Sequence, residues 1–200
     1  KYLVLPVGTD EDNFKQKETR TPNFIVLYYG TMLPLHGVNI LLDAISKTDR
    51  QIRYHIIGGG KDLAKQIAAH PMQDRIKYDK WVEYEDLPEL INKSSLCLAG
   101  PFGGTPQANR VITGKTYQFL NMSKPTVIGS NDETDIFFKD KDNALVVKQN
   151  SVKELADAIN WSFNNKVKLS GIGRSGKKTY EKNFSNKIIM EKLRMLVVGL

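Results

Sequence analysis

The chain has 200 residues, 40% of them hydrophobic and 26% charged, which is enough for one domain around one sizeable core. A single cysteine, Cys97, excludes an internal disulfide framework or a cysteine-based zinc site, and the lack of a membrane-length apolar run or a signal-peptide pattern favours a cytosolic protein. The net charge of +7 favours anionic partners, but the lysines are scattered without the aromatic-basic pattern of RNA-binding surfaces, so we expect no nucleic acid partner.

The first residues differ from the rest of the chain. Residues 3–8 form an apolar, strand-like piece, and those that follow up to Thr21 are charged without periodicity. We therefore expect residues 1–21 to be a linker that enters the domain from a preceding part of the protein, and residues 22–200 to be the domain itself.

From Phe24 onward, short β-branched runs alternate with amphipathic segments of helical length, which is typical of βα units on a parallel sheet. The pattern predicts an α/β fold with a Rossmann-like parallel sheet of about six strands and helices on both faces. Residues 166–178 are polar and contain glycines, so there we expect a loop with a weak helical start. The predicted strands cover 24–29, 52–57, 75–78, 96–99, 125–128 and 144–147, and the predicted helices cover 38–46, 61–69, 87–92, 115–122, 152–163 and 186–197.

Loops at the strand ends are the first place to look for a site. In an open parallel sheet, ligands bind beyond the carboxyl ends of the strands. Three of these loops are rich in glycine, which lets backbone amides approach a ligand closely, although a cluster such as Gly58–Gly60 could equally do no more than end a strand. The loops expected at this edge cover residues 30–37, 58–61, 80–85, 100–115 and 129–133.

The segment Thr113-Gly114-Lys115-Thr116 is similar to the end of a P-loop, but that motif needs a glycine where Asn109 stands. What remains is a helix start with free backbone amides and a lysine in its first turn, an arrangement that suits a phosphate group. An ordinary surface lysine is the alternative. No G-x-G-x-x-G follows the second strand, so the dinucleotide fingerprint of hydride-transfer enzymes is absent.

Candidate groups for catalysis or metal binding are few. The histidines, His36, His55 and His70, are far apart and lack metal-ligand spacing, and the latter two fit structural roles within a strand and at a helix end. His36 differs because it precedes Gly37 in a strand-end loop. Neither a G-x-S-x-G elbow nor an acidic cluster is evident, so hydrolases and metal-dependent enzymes find little support.

Several segments share an order and spacing with a known family. In residues 28–38, YYGTMLPLHGV, a glycine ends a strand and a basic residue followed by glycine opens a helix, and IIGGG and RVITGKTYQFL follow at 56–60 and 110–120. These segments resemble the C-terminal, donor-binding domain of retaining GT-B glycosyltransferases of the glycosyl transferases group 1 family. Residues 5–10 with Phe14 resemble its interdomain linker. Further matching segments are 87–90, 95–98, 124–128, 142–147 and 155–159, so the resemblance covers nearly the whole chain.

The resemblance implies that a nucleoside diphosphate sugar, the donor substrate, lies across the strand ends, and that no metal or other cofactor is needed. Cationic side chains and helix amides would bind the diphosphate, a polar side chain the ribose, and backbone groups near Lys80 the base. The residues implied are Gly30, Thr31, His36, Arg110, Thr113, Gly114 and Lys115 for the diphosphate, Gln118 for the ribose, and Trp81 and Val82 for the base.

The sequence also departs from the family pattern. Many relatives carry an arginine at the position of Thr31, a lysine at that of His36, and glutamates at those of Arg110 and Gln118. Gln118 can still hydrogen-bond a ribose hydroxyl. Arg110 cannot replace a carboxylate, and it would instead supply a cation for the diphosphate.

The resemblance further implies transfer of a hexose-type sugar, with retention of configuration, to a glycan or lipid-linked acceptor in polysaccharide biosynthesis. The acceptor would bind to an N-terminal domain of the same protein, so we expect this chain alone to bind donor weakly and to transfer nothing. The full-length protein would work in the cytoplasm, with peripheral association at the inner face of the membrane. Two alternatives stay open: a GT-B sugar-nucleotide epimerase, and a noncatalytic nucleotide-binding or interaction α/β domain.

Overall fold

A computed structural model describes residues 5–19 and 21–198. Within them, short apolar runs form one six-stranded sheet in which every neighbouring pair of strands is parallel. The strands are β1 (Ile25–Tyr29), β2 (Arg53–Ile57), β3 (Ile76–Asp79), β4 (Leu96–Gly100), β5 (Thr126–Ser130) and β6 (Leu145–Lys148).

The strand order is β3-β2-β1-β4-β5-β6. The chain builds outward from β1 as far as β3 and then returns to add β4 on the other side of β1. Val26 of β1 thereby lies between Tyr54 of β2 and Leu96 of β4. Loops diverge at such a reversal, and the crevice between them lies at the carboxyl ends of β1 and β4.

Helices cover both faces of the sheet. The N-terminus of the sixth helix is capped by Ser151, whose side chain accepts a hydrogen bond of 3.2 Å from the amide of Glu154, and this pair is a capping-box sequence. The helices are α1 (Val38–Ile45), α2 (Lys61–Ala68), α3 (Leu87–Lys93), α4 (Gly114–Asn121), α5 (Thr134–Phe137), α6 (Val152–Asn164), α7 (Lys166–Asn183) and α8 (Asn186–Val198).

Five of the six strands contribute side chains to two apolar cores, one on each face of the sheet, whereas the edge strand β3 contributes to the first core only. On β1, Val26 and Tyr28 pack into the core shared with α1, α2 and α6, whereas Leu27 and Tyr29 pack into the core shared with α3 and α4. Because both of their faces are buried, the central strands β1 and β4 are apolar at nearly every position, as is typical of parallel sheets. The predicted fold is confirmed, and the strands and helices predicted from the sequence end within two residues of those observed.

The loop predicted at residues 166–178 is wrong, because these residues begin the longest helix, α7. Its apolar side chains, such as Leu169 and Ile172, are buried against the sheet. The glycines are contact points rather than breaks in the helix. A Cβ at Gly173 would lie 2.0 Å from the carbonyl oxygen of Ser123, so only glycine lets α7 approach the end of α4 this closely.

The strand-like prediction at the N-terminus is not confirmed where the structure describes it. Residues 5–8 form no strand, and Leu3 and Val4 lie outside the described residues. Pro6 lacks an amide donor, and Gly8 adopts a φ of 69°, so this stretch is ill suited to a sheet ladder. The following residues still pack on the domain: the Phe14 side chain is fully buried, and its carbonyl accepts a 2.8 Å hydrogen bond from Asn121.

Across residues 5–19 and 21–198, the structure contains no helix long and apolar enough to cross a bilayer.

Candidate functional site

A cavity of about 510 Å³ opens between the loop that follows β1 and the start of α4. Seven of the ten site residues predicted from the sequence line it, although they come from two segments about 80 positions apart. The sheet reversal brings these segments together. The lining residues are Val7, Gly8, Thr9, Asp10, Tyr29, Gly30, Thr31, His36, Tyr84, Thr113, Gly114, Lys115 and Gln118.

Lys115, in the first turn of α4, is the one lysine or arginine among the described residues that line this cavity. Its side chain is 92% buried, and its Nζ donates a hydrogen bond of 2.9 Å to the carbonyl oxygen of Tyr29. The same nitrogen lies 4.1 Å from the ring centroid of Tyr28, a cation–π distance. Burial lowers the pKa of Lys115 to about 7, because the charged amine loses its hydration.

His36 and Gly30 complete the wall beside Lys115. A Cβ at Gly30 would lie 3.3 Å from Nζ of Lys115 and 3.4 Å from Nδ1 of His36, so both nitrogen atoms flank the same backbone turn. Nδ1 of His36 is buried and has no hydrogen-bond partner among the described residues. Burial, and then the nearby charge of Lys115, lower the pKa of His36 to about 4, so the imidazole is neutral at physiological pH.

The start of α4 presents backbone amides toward the cavity. Thr113 precedes the helix in an extended conformation, and its hydroxyl donates to the carbonyl of Ala99 at 3.0 Å instead of capping the helix. The first amides of a helix lack partners within that helix, and the dipole makes this end positive. Gly114 and Lys115 therefore offer donors at the place where the predicted phosphate would lie.

Gln118 lies one turn further along α4 and is held by a residue of β1. Its Oε1 accepts a hydrogen bond from the hydroxyl of Tyr29. The amide nitrogen of the Gln118 side chain and the second lone pair of its oxygen stay available to a ligand. The side chain is half-buried and is oriented before any ligand arrives.

A second cavity of about 370 Å³ adjoins the first and shares Tyr29, Gly30, Thr31 and Tyr84 with it. Two further predicted residues, Trp81 and Val82, line this second cavity together with Lys80, Gly58 and Gly59. The structure therefore arranges nine of the ten predicted residues along one continuous cleft.

Gly58 lets the turn after β1 lie close to the end of β2. It directly follows β2 with a φ of 100°, and a Cβ there would lie 2.2 Å from the carbonyl oxygen of Gly30. A side chain at this position would push the turn after β1 away from the strand end. The glycine cluster after β2 is thus more than a strand terminator.

Arg110 is not brought into this cleft. Its exposed side chain lines a separate cavity of about 550 Å³, beside Ile112, Glu133 and Lys192. A short 3-10 helix, Ala108–Arg110, positions it there, eight residues before Gln118. Val7 borders both this cavity and the first one, so Arg110 lies near the cleft without lining it.

Several residues of the cleft were not predicted from the sequence. Tyr84 borders both cavities from a 3-10 helix, and the N-terminal residues Val7 to Asp10 form a wall of the first cavity. The sequence pattern predicts Tyr28, whose ring lies against Nζ of Lys115, only as part of a strand. Tyr84 falls within the loop 80–85 expected at this edge, but no local motif marks it or the other two as part of the cleft.

The remaining histidines have structural surroundings. Nε2 of His55 lies 2.6 Å from a carboxylate oxygen of Asp79 on the next strand, and Nε2 of His70 lies 2.9 Å from the carbonyl oxygen of Leu42. Among the residues that the structure describes, no group of three or more His, Cys, Asp and Glu side chains is arranged to hold a metal ion.

Known proteins match this chain over most of its length. The family model described as glycosyl transferases group 1 matches residues 23–165. An uncharacterized glycosyltransferase of Methanocaldococcus jannaschii is 26% identical over 162 residues, which are 80% of this chain and 43% of that protein. The chain thus spans less than half the length of this relative.

Solved structures match the fold. Anabaena HepE in complex with UDP-glucose superposes with a TM-score of 0.78 at 18% identity, over 96% of this chain and 56% of that one. The C-terminal domain of a glycosyl transferase group 1 family protein, LpcC, from Francisella tularensis superposes with a TM-score of 0.71 at 12% identity, over 90% of this chain and all of that one. The six-stranded sheet with helices on both faces is therefore the Rossmann-like fold of GT-B glycosyltransferase domains.

Proposed function

Because the chain belongs to the glycosyl transferases group 1 family, we propose that it is the donor-binding half of a retaining glycosyltransferase that uses a nucleoside diphosphate sugar. The observation that carries the proposal is Lys115, a buried amine that faces a cavity at a helix N-terminus with no described carboxylate within 4.0 Å of it. In its charged form a buried amine needs a counter-charge. A diphosphate would supply it.

The diphosphate would lie between the turn at Gly30 and the start of α4. Lys115 would contribute the positive charge, and the amides of Gly114 and Lys115 would contribute backbone donors. The neutral imidazole of His36, which flanks the same turn as Lys115, can add a further hydrogen bond. Thr31, which borders both cavities, would contact the ligand where the cleft turns toward the base.

The nucleoside would extend along the second cavity. Gln118 would bond a ribose hydroxyl in the orientation that Tyr29 imposes. The base would lie near Trp81 and Val82, where Trp81 is 74% exposed and can cover an aromatic ring. The complexes of Anabaena HepE with UDP-glucose and with UDP support a ligand of this chemical class.

The proposed reaction needs stabilisation of the departing diphosphate more than it needs a protein base. Charge develops on the leaving oxygen as the bond to the sugar breaks, and the helix amides together with Lys115 are placed to compensate it without metal. Arg110 borders the neighbouring cavity and would contribute through long-range charge only. We propose no catalytic base among the described residues.

The acceptor would be a glycan or a lipid-linked saccharide bound by an N-terminal domain of the same protein. The sugar of the donor would face that domain, across the wall formed by residues 7–10. The setting would be polysaccharide biosynthesis on the cytoplasmic side of the membrane, with peripheral attachment of the whole protein. The 200-residue chain alone would bind donor and transfer nothing.

Calorimetric titration tests the proposal. UDP, GDP, ADP and their common sugar conjugates are titrated into the chain and into its Lys115→Ala and Gln118→Ala variants. We expect saturable binding of one nucleotide, weakened by both substitutions. Lys124→Ala is the matched control, because Lys124 is a half-buried lysine at the opposite end of the sheet that donates to two carbonyls.

Each other outcome points to a different function. Binding that Lys115→Ala leaves unchanged would remove the diphosphate assignment. Interconversion of a free sugar nucleotide would identify an epimerase. No binding of any nucleotide would leave a noncatalytic interaction domain as the better description of this chain.

A further inference from the structure

The groups around Lys115 hold its side-chain nitrogen in place without requiring that the nitrogen be protonated. Its partners are the carbonyl oxygen of Tyr29 at 2.9 Å and the ring of Tyr28 at 4.1 Å. A carbonyl accepts a hydrogen bond from a neutral amine as well as from an ammonium ion. The protein therefore keeps the nitrogen in place whether or not it carries a proton.

We infer that Lys115 takes up a proton from solvent when the diphosphate group of the donor binds and returns it when the site empties, and that the Tyr28 ring is the positioning group for this exchange. The inference rests on the proposed function, because it needs an anionic ligand. It adds a proton to the binding equilibrium and assigns a role to Tyr28.

The other ionisable groups that face the cavity do not supply this charge. From the 3-10 helix after β1, His36 is neutral at physiological pH because burial and Lys115 depress its pKa to about 4. From the N-terminal segment, Asp10 is the only carboxylate among the described lining residues, and its Oδ1 accepts the amides of Asp12 and Asn13 at 3.1 and 3.0 Å. The remaining groups are the phenols of Tyr84, Tyr28 and Tyr29. Burial raises the pKa of Tyr28 and Tyr29, so both stay neutral.

The direction of the exchange follows from the two environments of the amine. In the free chain, burial holds the pKa of Lys115 at about 7, so most molecules carry a neutral amine at pH 8. An anion at hydrogen-bond distance favours the charged form and raises that pKa. No covalent bond to the ligand forms. The proton comes from the buffer and returns to it when the nucleotide leaves.

Tyr28 acts through its ring and not through its hydroxyl. The side chain is 99% buried, and its hydroxyl has no hydrogen-bond partner among the described residues. The ring face attracts the ammonium form more than the amine form, with and without ligand, so it raises the pKa of Lys115 in both states. Tyr28→Phe should therefore keep the exchange, whereas Tyr28→Leu should lower the pKa of Lys115 in both states and weaken binding of the anion.

The number of protons taken up can be measured directly. Binding enthalpies for UDP-glucose, GDP-mannose and ADP-glucose are measured at pH 8 in buffers of different ionisation enthalpy, and the slope gives protons per ligand. These sugar nucleotides have no phosphate group that titrates near neutrality. We expect an uptake of about one proton at pH 8, and an affinity that falls up to about tenfold per pH unit between pH 7 and 9.

Variants separate Lys115 from its neighbours. Lys115→Arg should abolish the uptake, because arginine stays charged when free and when bound, and Lys115→Met should abolish it together with most of the affinity. His36→Gln should weaken binding but leave the number of protons taken up per bound ligand at pH 8 unchanged, because His36 is neutral at that pH. Tyr28→Phe should match the parent chain, while Tyr28→Leu should bind more weakly and lose affinity from a lower pH upward, because the free amine then has a lower pKa.

A second measurement does not depend on these variants folding normally. Carbon-13 labelling of lysine gives the titration of the Lys115 side chain by NMR, with and without the sugar nucleotide. Nucleotide binding with no proton uptake at pH 8, or a Lys115 signal that titrates above pH 10 in the free chain, would overturn the inference and leave the donor-binding proposal standing. Failure of every nucleotide to bind would remove both.

Discussion

The hydroxyl of Tyr29, at the end of β1, donates a hydrogen bond to Oε1 of Gln118 in the second turn of α4. The bond links the two segments that form opposite walls of the cleft. It also aims the side chain proposed to bind ribose, so its loss should affect affinity as well as stability.

Tyr29→Phe should lower the free energy of unfolding by about 1 kcal/mol, the usual net value of such a bond, and should weaken nucleotide binding several-fold. Tyr54→Phe is the matched control, because its hydroxyl lies 2.7 Å from that of Thr48, away from the cleft. Urea denaturation and calorimetry provide the two measurements. Equal losses of affinity in both variants would show that Tyr29 acts only through general stability.

Lys115 should make the free energy of unfolding rise as the pH increases above 7. Its folded-state pKa of about 7 lies below the unfolded value, so between these two values the unfolded chain binds more protons. Stability contributed by this site therefore rises with pH above 7, by at most about 1.4 kcal/mol per unit. Compared with Lys115→Met, the parent chain should gain stability from pH 7 to 9. Parallel stability curves for the two chains would contradict this.

Thr31→Arg should add a cation beside the proposed diphosphate site. Thr31 is exposed and borders both cavities, so an arginine there can reach the diphosphate without displacing core residues. We expect affinity to improve by about 1–2 kcal/mol at low salt and by less at high salt. Gln51→Arg, an exposed site just before β2, adds the same charge at the opposite end of the sheet. An equal gain in both variants would indicate a general charge effect.

The glycines of α7 should respond to alanine with opposite signs. Gly173→Ala should destabilise the chain by several kcal/mol, because its Cβ would lie 2.0 Å from the carbonyl oxygen of Ser123. Gly171→Ala meets open space within the same helix and should stabilise by up to about 1 kcal/mol. Thermal and urea unfolding measure both. Stabilisation by both substitutions would mean that the contact with Ser123 relaxes freely.

The sheet and most helices were predictable because their signals are local. Runs such as Ile25–Tyr29 are apolar at every position, and the segments between them have helical periodicity. Helix α7 was missed because glycine is a weak helix former, and its benefit at Gly173 depends on a carbonyl 50 residues earlier in the chain. Packing across the fold overrides propensity there.

The cleft was predictable in part for the same reason. The loop after β1 and the start of α4 could be paired, because parallel strands bring their carboxyl ends to one edge. The displacement of Arg110 could not be predicted, since a single turn of 3-10 helix directs it into another cavity. The contact between Tyr28 and Lys115 could not be predicted either, because it depends on which face of β1 lies next to the Lys115 side chain.

Residues 7–10 form one wall of the first cavity, although they precede the domain that the sequence defines at residues 22–200. The part of the chain that encloses the cavity is therefore larger than that domain. A chain trimmed to the family-matched residues would keep all six strands and every residue of α4, yet one side of its cleft would be open to water. Glu11 holds this wall against α7 and α8, because its carboxylate accepts hydrogen bonds from the Tyr180 hydroxyl at 2.9 Å and the Asn186 amide at 2.8 Å. A displacement of the chain just before residue 7 would therefore change the cleft, which residues 7–10 line, before it changed the sheet, to which they do not belong.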